Sequence, residues 1–404
     1  MATSSERMRA WNGPAVLSYG FRPLFFAAGL WAALAMVMWI GLLSGILALP
    51  TAFDPIAWHA HEFVWGYLGA VMGGFLLTSV PNWTGRLPIV GWPLAVLVAL
   101  WLIGRLVVAL SAMLPPLAVA IGDLSFQTVL AIALLREIVA GKNWRNLKVI
   151  GLLGLFIAMN GVFHWQAAQG ENVADGIATR GGVAVAVMLI ALIGGRVVPS
   201  FTRNWLAKRA PCPLPAPLGR GDFVSLGLSM AALFGWVVLP DNKVTGIACL
   251  IAGLANLWRL SRWSWARTLS EPLLWILHLG FFFVPAGFLL VGSAVLLPQA
   301  VPPTAALHVW MVGAIGTMTL AMMTRATLGH TGKTLSAGRG TTAIFLLILT
   351  ATIVRVVAGF MPGELGLLDL AGAAWVLAFG GFAVLYAPLF LRPRAIAGRV
   401  PNPR

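Results

Sequence analysis

The sequence has little charge. Asp, Glu, Lys and Arg make up only 10% of its 404 residues, whereas 59% are hydrophobic and the mean hydropathy is +0.89. A soluble domain carries about 25% charged residues, so the chain lacks the charge that a water-facing surface of this size needs. This excludes a soluble globular protein and predicts an integral membrane protein that crosses the bilayer many times.

Cysteine is scarce as well. The only two, Cys212 and Cys249, form neither a CxxC pair nor a CxxCH haem-attachment site. A disulfide framework and covalently attached haem are therefore excluded. The sequence also contains no P-loop, no HExxH and no Ser-His-Asp signature, which removes the usual motifs of nucleotide hydrolysis, zinc peptidases and serine hydrolases.

Long apolar runs, by contrast, occupy most of the chain. A transmembrane helix needs about 20 apolar residues, and twelve stretches meet this requirement between Pro, Gly and charged breaks. They lie near residues 22–46, 58–80, 92–112, 116–136, 147–167, 180–199, 222–240, 244–262, 272–296, 304–325, 341–361 and 368–391. We therefore predict an all-α integral membrane protein with twelve helices in one bundle, a single polytopic domain over residues 1–404.

The basic residues indicate the orientation of this bundle. The formal net charge is +15, and with the N-terminus inside all but four of the 27 Lys and Arg residues fall at the inner face. Arg180 and Lys243 are outside, and Arg105 and Arg355 fall within spans. The positive-inside rule then places both termini in the cytoplasm, and the positive charge is expected to contact anionic membrane lipids rather than nucleic acid.

Two short motifs recur at a spacing of 122 residues. Asn82-Trp83 is repeated as Asn204-Trp205, and Thr202-Arg203 as Thr324-Arg325. These pairs end predicted spans two, six and ten, which favours three four-helix units within one bundle. The units would cover residues 18–140, 141–265 and 266–392. The Pro-rich, basic segment 203–222 is interpreted as a cytoplasmic linker.

Histidines are few, and most fall at one depth. The outer ends of predicted spans two, five and ten carry His59, His61, His164 and His308. His278 falls in the inner part of span nine, and His330 in the inner loop after span ten. Because neutral imidazole is a good ligand for haem iron and copper, the sequence predicts a haem or copper site at the outer end of the bundle. Interfacial histidines that merely cap helix ends are the alternative.

His59 and His61 cannot share one ion on a regular helix, because residues two apart point about 200° from each other. We therefore predict that they face different partners or that the helix is broken at this point. Glu62 lies on the side of His59 and would orient a ligand histidine or carry protons. Alternatively, it forms a buried salt bridge with an arginine.

Asp123 and two arginines fall in the outer halves of predicted spans. Asp123 is expected to pair with Arg105 or to take part in proton transfer, and Arg105 and Arg355 match the geometry of haem propionates. The inner halves of the predicted spans contain no carboxylate. Protons would therefore enter from the outer side, which argues against proton pumping.

Several blocks of the sequence resemble the NnrS family of bacterial membrane proteins. They run from the first predicted span to just after the tenth and are FRPLF (21–25), WHAHE (58–62), GFLLTSVPNWTGR (74–86), GGRVVPSFTRNW (194–205) and MMTRATLGHTGK (322–333). The resemblance implies a twelve-helix protein of the bacterial cytoplasmic membrane that contains haem and copper. It also implies an association with denitrification and with resistance to nitric oxide.

Carried over to this sequence, the resemblance makes His59, His61, His308 and His330 candidate metal ligands, and their positions add His164 and His278. The family is also broadly similar in architecture to haem–copper oxidases and nitric oxide reductases. That similarity rests on twelve helices, six histidines and a His-x-His motif, and is an analogy of fold.

The leading hypothesis is a haem b protein, with copper as a second metal, that binds nitric oxide and reduces it to N₂O near the periplasmic face. Glu62 and Asp123 would supply protons, and a quinol or a small thiol would supply electrons. The first alternative is a non-catalytic protein that binds haem and nitric oxide and protects against nitrosative stress. The second is a twelve-span transporter, although its charges would be expected nearer the midplane.

Overall fold

The computed structural model describes residues 11–86, 88–209 and 212–393. This part of the chain contains twelve helices that are long and apolar enough to cross a bilayer, which confirms the predicted number of spans. In chain order, α1 to α12 cover Phe21–Leu43, Pro55–Thr84, Trp92–Ala109, Pro116–Ala140, Trp144–Ala168, Ile177–Leu206, Arg220–Val238, Lys243–Ser261, Pro272–Leu296, Pro303–Thr331, Arg339–Phe360 and Leu365–Leu391. Both termini, on which the predicted orientation partly rests, lie outside the described residues.

Local sequence explains where these helices begin and end. At the start of α2, the Asp54 carboxylate accepts hydrogen bonds from the amides of Ile56 and Ala57 at 2.9 and 3.0 Å, and Pro55 occupies the first helical position. Both features are typical of a helix N-terminus. The helix ends at Gly85, whose φ of 69° gives the left-handed conformation that glycine adopts without strain.

Three helices form the centre of the bundle. α2, α6 and α10 have 30, 30 and 29 residues, and between 72% and 89% of their most apolar stretches are buried, against at most 50% in the other nine. Each of the three contacts the other two, and α1 packs against α12, so the outer helices close around the centre. The outer end of the bundle, as we call it below, is the end at which α2 begins.

Each central helix is interrupted by a π-helical segment. These segments are Glu62–Tyr67 in α2, Ile190–Gly194 in α6 and Val309–Gly316 in α10. π-helical turns are rare and occur frequently at functional sites. The same three spans carry the recurrent sequence pairs, while the division into three units stays a prediction.

The inner connection between α6 and α7 is shorter than the predicted linker 203–222. α6 continues through Pro199 to Leu206, and α7 begins at Arg220. Between them, the Pro215 carbonyl accepts a hydrogen bond from Arg203 at 2.6 Å, and the Ala216 amide donates to the Arg262 carbonyl at 3.1 Å. The described part of the segment is therefore tied to the helix ends; residues 210–211 lie outside the described residues.

A close contact fixes α11 against α10 near the outer end. A Cβ on Gly359 would lie 2.7 Å from both Cα and Cβ of Ala305, too close for any side chain. We expect Gly359→Ala to destabilise the protein by about 1–3 kcal/mol because the helices must separate. Thermal unfolding in detergent measures this. Gly227→Ala is the control, since no atom lies within 4 Å of its Cβ position; equal effects of the two changes would contradict the prediction.

Candidate metal centre

A group of buried polar side chains lies near the outer end, between α2, α3, α4 and α5. All of its members are at most 6% exposed. We call this group the ionic cluster; it consists of His61, Glu62, Arg105, Asp123, Asn160 and His164. Burial of charged groups in a membrane is costly, so the group is a functional-site candidate by its position alone.

Arg105 joins the two carboxylates of the ionic cluster. Its Nη1 donates to Glu62 Oε2 at 2.5 Å, and its Nη2 donates to Asp123 Oδ1. Trp31 Nε1 also donates to Glu62 Oε2, at 2.8 Å. The structure therefore contains the buried salt bridges that were predicted as one alternative for Glu62 and Asp123. Its Nε is buried with no partner among the described residues, so the guanidinium of Arg105 keeps one N–H donor that the carboxylates do not use.

Two histidines converge on one oxygen of Asp123. His61 Nε2 and His164 Nε2 each lie 3.1 Å from Asp123 Oδ2, and one ligand atom from each residue falls within 4.8 Å of the others. Ligand atoms around a tetrahedral ion with bonds of about 2.0 Å are about 3.3 Å apart. The three side chains thus form a group that could hold a metal ion.

The hydrogen bonds of His61 are compatible with a bound cation. Its Nδ1 lies 3.2 Å from Glu62 Oε1, and its Nε2 faces Asp123. A neutral imidazole has only one N–H, so either His61 is an imidazolium or its Nε2 binds a cation while Nδ1–H donates to Glu62. The second arrangement is the usual one for a metal-bound histidine and its orienting carboxylate. With neutral imidazoles the cluster has a net charge of −1, which a cation would offset.

Asn160 was not among the residues predicted from the sequence, yet it belongs to the ionic cluster. Its Nδ2 donates to Asp123 Oδ2 at 2.7 Å, and its Oδ1 lies 3.2 Å from His61 Nε2. Asn160 precedes His164 by four residues, so both occupy one face of α5. An uncharged polar residue one turn from a histidine in an apolar run is the signal that could have identified it.

His59 faces the opposite side of α2, as the helical geometry predicts. Its ring stacks on Trp39 of α1 at 4.1 Å between centroids, and its Nδ1 is buried with no hydrogen-bond partner among the described residues. His308 of α10 and Arg355 of α11 are the ionisable side chains near enough to interact with it electrostatically. The structure therefore separates the four outer histidines into two groups, and we call His59, His308 and Arg355 the histidine–arginine group.

His308 has one nitrogen available. Its Nδ1 lies 2.7 Å from the Thr304 carbonyl oxygen, which can only accept, so Nδ1 carries the proton and Nε2 keeps its lone pair. Arg355 lies on α11, one turn before Gly359. Because Gly359 contacts Ala305 of α10, this part of α11 lies beside α10. No carboxylate is paired with Arg355 in the described part of the chain. This group therefore presents nitrogen ligands and an available cation.

The two remaining histidines lie away from both groups. His278 Nε2 is 2.9 Å from Thr202 Oγ1 in the inner half, and its Nδ1 is buried without a partner among the described residues. His330, predicted in a loop, belongs to the last turn of α10 and packs on Tyr19 and Phe21. Burial raises the pKa of Tyr19 to about 12, so its phenol stays protonated beside His330.

Comparison with known proteins gives one clear result. A search of curated proteins finds no match. The family model described as NnrS protein matches residues 15–394, which include all twelve helices and both histidine groups. Because this match covers nearly the whole chain, the protein belongs to the NnrS family.

Proposed function

We propose that the protein binds and detoxifies nitric oxide in the bacterial cytoplasmic membrane by reducing it to N₂O at a metal centre near the periplasmic face. The observation that carries this proposal is the convergence of His61, His164 and Asp123, with Glu62 on the far nitrogen of His61. Family membership supports a role in the response to nitric oxide. The basic residues at the opposite end support the orientation.

The two groups fit different cofactors. Two imidazoles and a carboxylate suit copper or non-haem iron, so we assign the ionic cluster to copper. His59 and His308 offer nitrogen ligands, and Arg355 a cation for a propionate, so we assign the histidine–arginine group to haem b. When bound, these cofactors supply electrons and an open coordination position for nitric oxide.

The chain itself supplies positions for protons. Joining two NO molecules into N₂O and water consumes two electrons and two protons; the electrons would come from a quinol or a small thiol. His61 lies between Glu62 and Asp123, so a proton on its Nδ1 is shared with the Glu62 carboxylate. Glu62 is the residue that we expect to pass protons to the bound substrate.

One observation favours a non-catalytic alternative. Arg105 holds both carboxylates, and Trp31 and Asn160 occupy further lone pairs. Carboxylate oxygens engaged in this way have few lone pairs left with which to exchange a proton with a bound substrate. On this alternative the ionic cluster is structural, and the protein binds nitric oxide without converting it.

A single-turnover experiment separates the two functions. Reduced, cofactor-loaded protein is mixed with nitric oxide without oxygen, and N₂O is measured by gas chromatography alongside the optical spectrum. We expect one N₂O for every two NO, and in Glu62→Gln a rate about 10²-fold lower or more with the NO-bound spectrum retained. His278→Ala is the matched control in the inner half. A spectral change without N₂O would establish the non-catalytic alternative, and no response to NO would refute both.

A further inference from the structure

A pocket lies at the end of the bundle opposite the ionic cluster, where α6 ends and α7 begins. Its volume is about 240 Å³. The end of α6, the connection to α7, the first turn of α7 and the residues just after α8 contribute its walls. They include Arg196, Ser200, Arg203, Pro215, Asp222 and Trp263.

Basic side chains of α6 and of the end of α8 lie at this pocket. Arg196 and Arg203 line it, and Arg259 of α8 and Arg262, which directly follows α8, contact its one acidic residue, Asp222. Arg145 and Lys148 of α5 interact electrostatically with Arg196 but are exposed and do not line the pocket. We call four cations the basic pocket; they are Arg196, Arg203, Arg259 and Arg262.

The single carboxylate of the pocket is already fully used. Asp222 Oδ1 accepts from Arg259 Nε at 2.9 Å, and Oδ2 accepts from Arg262 Nη1 at 3.2 Å and from the Gly219 amide at 2.9 Å. It can offset one positive charge at most. Among the described residues that line the pocket, Asp222 is the only carboxylate, so the remaining positive charges are not offset by the pocket walls.

Arg259 is fully buried and only partly satisfied. Its Nη1 donates to the Ala191 carbonyl at 2.8 Å, an oxygen within the π-helical segment of α6. Its Nη2 is buried with no acceptor among the described residues. That nitrogen lies directly against Gly195, which is itself part of the pocket wall. A buried donor without a partner next to a cavity calls for an explanation, and an acceptor atom of a bound molecule would provide one.

We propose that the basic pocket binds a phosphate-bearing anion. Arginine forks match the geometry of phosphate oxygens, and basic pockets between transmembrane helices bind lipid headgroups at a membrane surface. The positive-inside rule explains exposed basic residues at this face. It does not explain the buried Arg259 or the half-buried Arg196 on the wall of a cavity.

The test measures binding to the full-length protein in two arms. In one arm, the protein is placed in nanodiscs of phosphatidylcholine with or without phosphatidylglycerol, and retained lipid is counted by native mass spectrometry. In the other, inorganic phosphate or pyrophosphate is titrated in detergent at constant ionic strength. Binding in the first arm identifies a lipid headgroup, and binding in the second a soluble phosphate; either supports the proposal.

Charge-removing variants make the test specific. Removing one cation should weaken binding about fivefold, so the Arg196→Gln/Arg203→Gln double variant should lose about 25-fold. Arg196→Lys keeps the charge and should keep most of the affinity. The control is Arg267→Gln, an exposed arginine after α8 outside the pocket walls. Absence of binding in both arms, or equal affinity of the double variant and the control, would overturn the proposal.

Discussion

Asp123→Ala is expected to lower the free energy of unfolding by about 3–5 kcal/mol, the usual cost of removing one partner from a buried ion pair. Asp123 accepts hydrogen bonds from Arg105 and Asn160 and contacts His61 and His164. Without it, Arg105 keeps only Glu62, and both imidazoles lose their common partner in a dry environment. The measurement is equilibrium unfolding in detergent, together with the yield of monodisperse protein.

Two further variants make this result interpretable. Asp123→Asn keeps the shape and part of the hydrogen bonding, so it should cost less than Asp123→Ala. Asp241→Ala changes an exposed aspartate between α7 and α8 and should shift stability by no more than about 0.5 kcal/mol. If Asp123→Ala behaved like Asp241→Ala, the ionic cluster would have to be hydrated, and a dry metal centre there would be ruled out.

His59→Ala and His61→Ala are expected to remove different cofactors, although the residues are only two apart. His59 faces Trp39 and His308, whereas His61 faces Asp123 and His164. Loss of either histidine of the histidine–arginine group should therefore abolish haem binding and leave copper. Loss of either histidine of the ionic cluster should abolish copper binding and leave haem.

The haem and copper content of each purified variant is measured by iron and copper analysis together with the reduced optical spectrum. His278→Ala and His330→Ala are the controls and should keep both cofactors, because neither residue reaches the outer groups. A parallel loss of both metals in all four outer variants would show one shared centre. If His59→Ala lost copper and kept haem, our assignment of haem to the histidine–arginine group and copper to the ionic cluster would be reversed.

The spans could be predicted from the sequence because bilayer insertion depends on the length and polarity of each run, which are local properties. The inner end of α10 shows where this fails. MMTRATLGHTGK is too polar to be read as a span, yet the helix continues until Gly332 adopts a φ of 76°. Intrahelical hydrogen bonds persist beyond the apolar run, so His330 was wrongly predicted in a loop.

The candidate site could be predicted only in part, because its geometry depends on contacts between distant helices. The separation of His59 from His61 follows from helical geometry alone. The sequence left two partners open for Arg105, a buried carboxylate or a haem propionate. Both are anions, so the positive charge of the arginine alone could not decide between them. Trp31 could not be assigned to Glu62 at all, because a tryptophan in an apolar run has no pattern that separates a hydrogen-bonded ring from a packed one.

The π-helical segments give each central helix two helical phases. A π turn holds about one residue more than an α turn and so rotates the following residues by about 100°. In α2, the outer phase directs His61 towards α4 and α5, whereas Tyr67, the last residue of the π-helical segment, reaches α10, where its hydroxyl lies 2.5 Å from Thr319 Oγ1. One helical wheel therefore describes only half of such a helix, and wheels for α2, α6 and α10 must be restarted after Tyr67, Gly194 and Gly316.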